Sequence, residues 1–231
     1  MNYKSKLFII AILLTTIFVN CSSSTSPNYD NSSMQDMDDV NFQKRIASFP
    51  IVQLNELEIS GLIFMREEEK LARDVYLKLY EKYPLRPLNN ISRSEQVHMD
   101  AIKYLLDRHN IEDPVGENIN GVFESDSLQQ MYNDLILQGA ESDIEALKVG
   151  CAIEEIDIID LQNELDNNVE SGDIKFVYTN LKRASGYHLR AFVWNLKRRG
   201  VEYVPQYLDI KTYNSIINKK STGDLKVDEQ R

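Results

Sequence analysis

The stretch Leu62-Ile-Phe-Met-Arg-Glu-Glu-Glu-Lys-Leu-Ala-Arg-Asp-Val-Tyr76 decides how the rest of the chain is read. With Leu57 before it and Leu79 after it, the apolar residues Phe64, Met65, Leu71, Ala72, Val75 and Tyr76 recur at three- and four-residue spacing. That is the period of a helix, here from about Asn55 to Tyr83. Pro84 and Pro87 mark its end. Glu69 lies in line with Met65, Ala72 and Tyr76, while a helical wheel puts Glu68 nearer the centre of the apolar face. A carboxylate on that side needs a partner, and a cation held between helices is one of the few that offsets its desolvation. Taken alone, either acid also fits a solvated position or a simple ion pair.

Working outward, a second helix is expected from Ser92, with Glu95 three residues on as a capping box, to about His109. A connection from about Ile111 to Glu141 carries Gly116 and Gly121 and a short helix over Ser127 to Leu137. A third long helix is expected from Ser142 to Leu165, and a fourth from near Asp173 to Gly200. Asp209 reads as the cap of a short C-terminal helix ending near Asn218. No alternating pattern competes, so the expected class is all-α: two hairpins of long helices joined by one long crossover connection, with a short C-terminal helix. Bundles of this type include the ferritin-like folds.

Each expected long helix brings a metal-ligating residue type to its apolar side. The second has Glu95 and His98, three apart and projecting from one face, with Val97, Ala101 and Ile102 beside them. The third has Glu154 in line with Cys151, Ile158, Leu161 and Leu165, and Asp157 three residues later. The fourth has His188 in line with Ala184, Ser185, Ala191 and Phe192. His109 reads as a solvated helix-end residue and Cys151 as a small core residue. In di-iron and di-manganese carboxylate bundles, two helices each give a Glu and two each give Glu-x-x-His, and the order here follows that scheme save for one acid.

The segment Glu69-Lys-Leu-Ala-Arg-Asp-Val-Tyr76 resembles the first metal-binding helix of rubrerythrins, with their Glu-x-x-Ala-Arg-x-x-Tyr arrangement. Ser94-Glu-Gln-Val-His-Met-Asp100 resembles their Glu-x-x-His helix, and Glu154 with Asp157 their third. The runs Leu62 to Tyr76 and Tyr203-Val-Pro-Gln-Tyr207 are more similar still to an uncharacterised ferritin-like family, domain of unknown function family 2202. The resemblance implies a ferritin-like domain whose metal ligands are Glu69, Glu95, His98, Glu154 and His188, with Asp157 optional. It makes Tyr76 a hydrogen-bonding support for a ligand, with a part in catalysis. Where the fourth helix of rubrerythrins reads Glu-x-x-His, this chain has Ser185-Gly-Tyr-His188, so one bridging carboxylate is missing. Mononuclear or dinuclear iron is the cofactor expected, with manganese or zinc also suited to these donors. Ferroxidase or peroxidase chemistry would follow, the electron donor being unknown. A non-enzymatic protein with a structural ion or a metal-free polar core is the alternative, and a partner-docking protein with the aromatic segment of Tyr203, Tyr207 and Tyr213 is a third.

The N-terminus adds a location. Lys4 and Lys6 precede an uncharged run from Leu7 to Val19, shorter than a membrane span, and Asn20-Cys21 ends it. This reads as a signal peptide over 1–20 with Cys21 as the lipid-bearing residue of a bacterial lipoprotein, anchored by that lipid to an envelope membrane. Residues 21–50 read as a flexible tether, 51–220 as the helical domain and 221–231 as a disordered tail. Loss of 1–20 removes two lysines and no acid, leaving 24 basic against 36 acidic side chains, which argues against nucleic acid as a partner. A homodimer is compatible with the sequence.

Overall fold

The computed structural model describes residues 39–219. The expected signal peptide, Cys21 with its expected lipid, most of the expected tether and the expected tail lie outside them. The described residues form seven helices and no strand. They are α1 (Asp39–Ala47), α2 (Glu56–Lys82), α3 (Arg86–Arg108), α4 (Asp126–Gly139), α5 (Asp143–Asn167), α6 (Gly172–Arg198) and α7 (Ile210–Ile217). None of them is long and apolar enough to cross a membrane.

Local chemistry sets most of the ends. Asn55 Oδ1 accepts from the Leu57 and Glu58 amides at 2.9 Å, and Glu58 returns a carboxylate to the Asn55 amide at 3.0 Å, closing a capping box at the start of α2. The other oxygen of Glu58 accepts from the Glu170 and Ser171 amides and so ties in the α5–α6 turn. Ser142 caps α5 and Asp209 caps α7. Gly200, at φ 75°, follows α6 in the left-handed conformation that glycine adopts without strain.

Four expectations need correction. The second long helix starts at Arg86, six residues before Ser92, because Pro87 sits in its first turn, where a missing N–H costs nothing. The stretch assigned to the tether ends in α1, which buries Phe42 and Ile46 against α6 and adjoining helices. His109 is not solvated: its side chain is 3% exposed, with Nε2 2.9 Å from Asp173. Leu57, counted with the apolar face, is 55% exposed.

The closest packing is α2 on α3 and α5 on α6, and the pairs meet through α3–α6 and α2–α5. One apolar cluster holds Leu62, Met65, Ile102, Leu105, Leu161, Val177 and Leu181, and another holds Leu71, Val75, Leu79, Leu147, Ile153 and Phe192. Each such side chain contributes about 1.5–3 kcal/mol on burial. Along α2, α3 and α6 the two clusters are separated by polar residues that are themselves buried, among them Glu69, Glu95, His98, Ser185 and His188.

The crossover between α3 and α4 lies over the outer side of α2, so that Met65 through Tyr76 are buried all round the helix. Every charge on that side meets the loop. Arg66 makes a bidentate pair with Asp113, Glu67 accepts from the Glu124 amide, and Lys70 donates to Asp74 and to the carbonyls of Ile119 and Val122. Arg73 donates to Asp74, Gln96 and Asn118, and Asp74 accepts from the Gly121 amide. Glu155 plays a like part on α5: it accepts from the Tyr203 hydroxyl and from the amides of Gln206, Tyr207 and Leu208, holding the C-terminal segment down.

Candidate metal centre

On α3 the three-residue step from Glu95 to His98 turns both side chains inward, and His98 Nδ1 lies 2.7 Å from Glu95 Oε2. From α2, Glu69 Oε2 reaches the same nitrogen at 3.0 Å. Across the layer, His188 Nδ1 of α6 lies 2.9 Å from the other oxygen of Glu95 and 3.4 Å from Glu154 Oε2 of α5. The imidazoles stack with centroids 5.4 Å apart. Two groups result that could each hold a metal ion, Glu69–Glu95–His98 and Glu95–Glu154–His188, and Glu95 belongs to both through a different oxygen.

The neighbouring side chains hold these groups in place. Tyr76, fully buried, donates to Glu154 Oε1 at 2.6 Å, which fixes the carboxylate with Oε2 toward His188. Ser94 Oγ lies 3.0 Å from His188 Nε2, leaving Nδ1 for the core. Ser185 donates to Asp157, so the position that lacks a carboxylate supplies a hydroxyl that orients one from α5. Asp157 belongs to neither triad, and its Oδ1 has no hydrogen-bond partner.

The layer is short of positive charge. Glu69, Glu95, Glu154 and Asp157 are buried against two imidazoles, so four carboxylates face at most two positive charges. Burial, then the neighbouring Asp157, holds Glu69 well above the usual carboxylate range, and burial, then Glu154, pushes Asp157 up to about 7. Burial also leads in raising Glu154, though His188 opposes it. Burial opposes ionisation of Glu95, but His98 and His188 outweigh it and hold Glu95 below the usual range. Burial disfavours both imidazolium ions too. Glu95 and Glu69 nevertheless raise His98, while Glu154 and Glu95 raise His188 to about 10. Protons thus gather on nitrogens that would otherwise donate lone pairs.

The donor set is one that divalent ions could share. Two of them would balance four carboxylates with both imidazoles neutral. Glu69 Oε1, Glu95 Oε1, His188 Nδ1 and Asp157 Oδ1 are buried without hydrogen-bond partners, although buried polar atoms are nearly always paired. The 2.9 Å approach of His188 to Glu95 is therefore a contact without hydrogen-bond alignment, as expected of two ligand atoms facing a common point. Carboxylate oxygen with imidazole nitrogen suits iron, manganese or zinc.

All six residues singled out in the sequence thus lie in one layer, five of them in the triads and Asp157 beside them. Ser94 carried no signal, being one hydroxyl among polar neighbours. Glu68, set aside in favour of Glu69, is buried too, at 6% exposure, but faces Asp160.

A family described as "Uncharacterized protein domain (DUF2202)" matches residues 58–220. The uncharacterized protein MJ0754 of Methanocaldococcus jannaschii is 48% identical over 176 residues, which cover 76% of this chain and 95% of that protein. The crystal structure of that hypothetical protein superimposes with a TM-score of 0.73, covering 75% of this chain and 98% of the other. The chain belongs to the DUF2202 family of uncharacterized protein domains.

Proposed function

We propose that this chain is a ferritin-like four-helix bundle that holds a pair of divalent ions, iron foremost, between its helices. The sharing of Glu95 between two carboxylate–imidazole triads carries this reading. Glu69 and His98 would hold one ion, Glu154 and His188 the other, with Glu95 between them and Asp157 as a further donor. Iron so bound supplies one-electron chemistry toward oxygen or peroxide, which makes ferroxidase or peroxidase activity the reaction class proposed. The chain's own part is to fix the ligands: Tyr76 orients Glu154, Ser94 sets the free nitrogen of His188, and Ser185 aims Asp157. The apolar clusters on either side keep bulk water from the layer. The charged start, the apolar run and Cys21 support a lipid anchor at a bacterial envelope membrane, with electrons arriving from a separate donor.

Elemental analysis of protein purified without a chelating tag should find close to two ions per chain. Anaerobic iron addition followed by air should bring up the near-ultraviolet absorption of ferric iron. A metal-free protein that stays colourless would leave the second reading, a metal-free polar core. Mass spectrometry of the mature protein should find an acylated Cys21, and any other N-terminus would reject the anchor.

A further inference from the structure

The chain carries a net charge of −10, yet one gap in its surface is walled by cations. It lies between the C-terminal half of α5, the middle of α6 and the segment of α7, has a volume of about 620 Å³, and is lined by Lys182, Arg183, Arg190 and Lys219. On α6, Lys182, Gly186 and Arg190 are four residues apart and so share one face.

Hydrogen bonds to uncharged acceptors position three of these cations. Lys182 donates to Gln162 across the α5–α6 boundary, Arg183 donates to Asn180, and Arg190 donates to the Ile216 carbonyl with its guanidinium 4.3 Å from the centre of the Tyr187 ring. Among the described residues, Lys182, Arg183 and Lys219 form no ion pair. Asp209, the carboxylate in the lining, is already committed: one oxygen accepts from the Lys211 and Thr212 amides, the other from the Thr212 hydroxyl.

Gly186 is a second, independent sign. A Cβ at Gly61, Gly139 or Gly150 would come within 2.6 Å of a side chain on another helix, so packing demands those glycines. At Gly186 it would meet only Ile216, at an ordinary 3.6 Å. Packing makes no such demand there, and the missing side chain leaves the wall bare between Lys182 and Arg190.

We infer that this gap binds a molecule carrying a phosphate monoester. Several cations call for more than one negative charge, and such a phosphate brings nearly two with three acceptor oxygens, where a carboxylate brings one. The guanidinium fork of Arg183 matches those oxygens. The volume exceeds what phosphate alone fills, and Ile158, Leu208 and Ile216 add apolar lining for the body that carries it. A soluble phosphorylated molecule and a lipid headgroup share this chemistry. None of the groups of the proposed metal centre enters the argument.

The full chain, titrated calorimetrically at low salt with glycerol 3-phosphate, should bind one molecule, and glycerol should not bind. Dihexanoyl phosphatidic acid below its micelle concentration separates the sources: affinity higher by about tenfold or more assigns a lipid headgroup, and any smaller gain a soluble ligand. Lys182→Gln and Arg183→Gln should each weaken the phosphate probe about tenfold, the loss of one charge-assisted hydrogen bond, while Lys103→Gln on α3 should change nothing. Gly186→Leu keeps every charge and fills the gap, so with its fold intact by circular dichroism it should abolish binding. A parent that binds neither phosphate probe would overturn the inference. So would a folded Gly186→Leu protein, or both charge variants, binding as the parent does.

Discussion

The two sides of α2 both carry charge and are equally buried, yet they are opposite in chemistry. On the outer side, Arg66, Glu67, Lys70, Arg73 and Asp74 meet the crossover loop, Lys70 spends all three of its donors on Asp74 and two carbonyls, and one guanidinium nitrogen of Arg66 alone stays unpaired. On the inner side, Glu69 and the residues it meets leave oxygen and nitrogen atoms unpaired. Buried charge whose hydrogen bonds are complete is a structural device, whereas buried charge left open marks a place where something else binds. Burial alone does not separate the two.

The sharpest break of this comparison is Glu95→Ala. It removes the one residue common to both triads and should take bound metal from about two ions per chain to none that survives desalting. Glu69→Ala and Glu154→Ala should each lose one, as elemental analysis would show. On the outer side, Asp74→Ala leaves Lys70 and Arg73 buried without their anion and should cost about 3–5 kcal/mol in urea unfolding, with metal content unchanged per folded chain. The mirror change on the inner side, Glu69→Gln in metal-free protein, should cost less than about 1 kcal/mol or even stabilise, since it removes a carboxylate that burial and Asp157 disfavour. Equal losses for the two variants would erase the distinction.

Ser185→Glu sharpens the reading of the inner side. In metal-free protein the added carboxylate should lower stability by about 2–4 kcal/mol, and metal should restore most of it. A variant that stays folded but gains nothing from metal would remove His188 from the ligand set.

A small effect is also expected at Asp113. Burial opposes its ionisation, but the Arg66 guanidinium and the Val115 amide outweigh it and hold the carboxyl below its usual value of 3.8. A depressed value in the folded state means that this contribution is complete above about pH 4 and is lost as the pH falls through the folded value. Asp113→Asn should therefore lower stability at pH 7 by about 1 kcal/mol and flatten the acid limb of the unfolding curve.

The helices and most of their caps were legible in the sequence because periodicity and capping are local, as at Asn55, Ser142 and Asp209. The inner residues were legible for the same reason: Glu95 and His98 share a face at any helical geometry, and Glu154 sits among apolar neighbours. Pro87 misled because a proline that ends one helix also begins the next. The outer side of α2 carried no signal, since nothing local to Arg66, Lys70 and Arg73 shows that a loop some fifty positions later covers them. Ser185 read only as an absence, because its bond to Asp157 spans two helices.

Glu154 and Glu155 are consecutive on α5, so one turn of helix is held from both sides, by Tyr76 toward the core and by the C-terminal segment outside. The amides of Gln206, Tyr207 and Leu208 sit in no helix, yet each donates to a carboxylate that is fully buried. In deuterated water they should exchange on the timescale of the helix interior, far more slowly than ordinary loop amides, and ions bound at Glu154 should slow them again. The C-terminal segment then acts as a clock for the centre, keeping time from outside it.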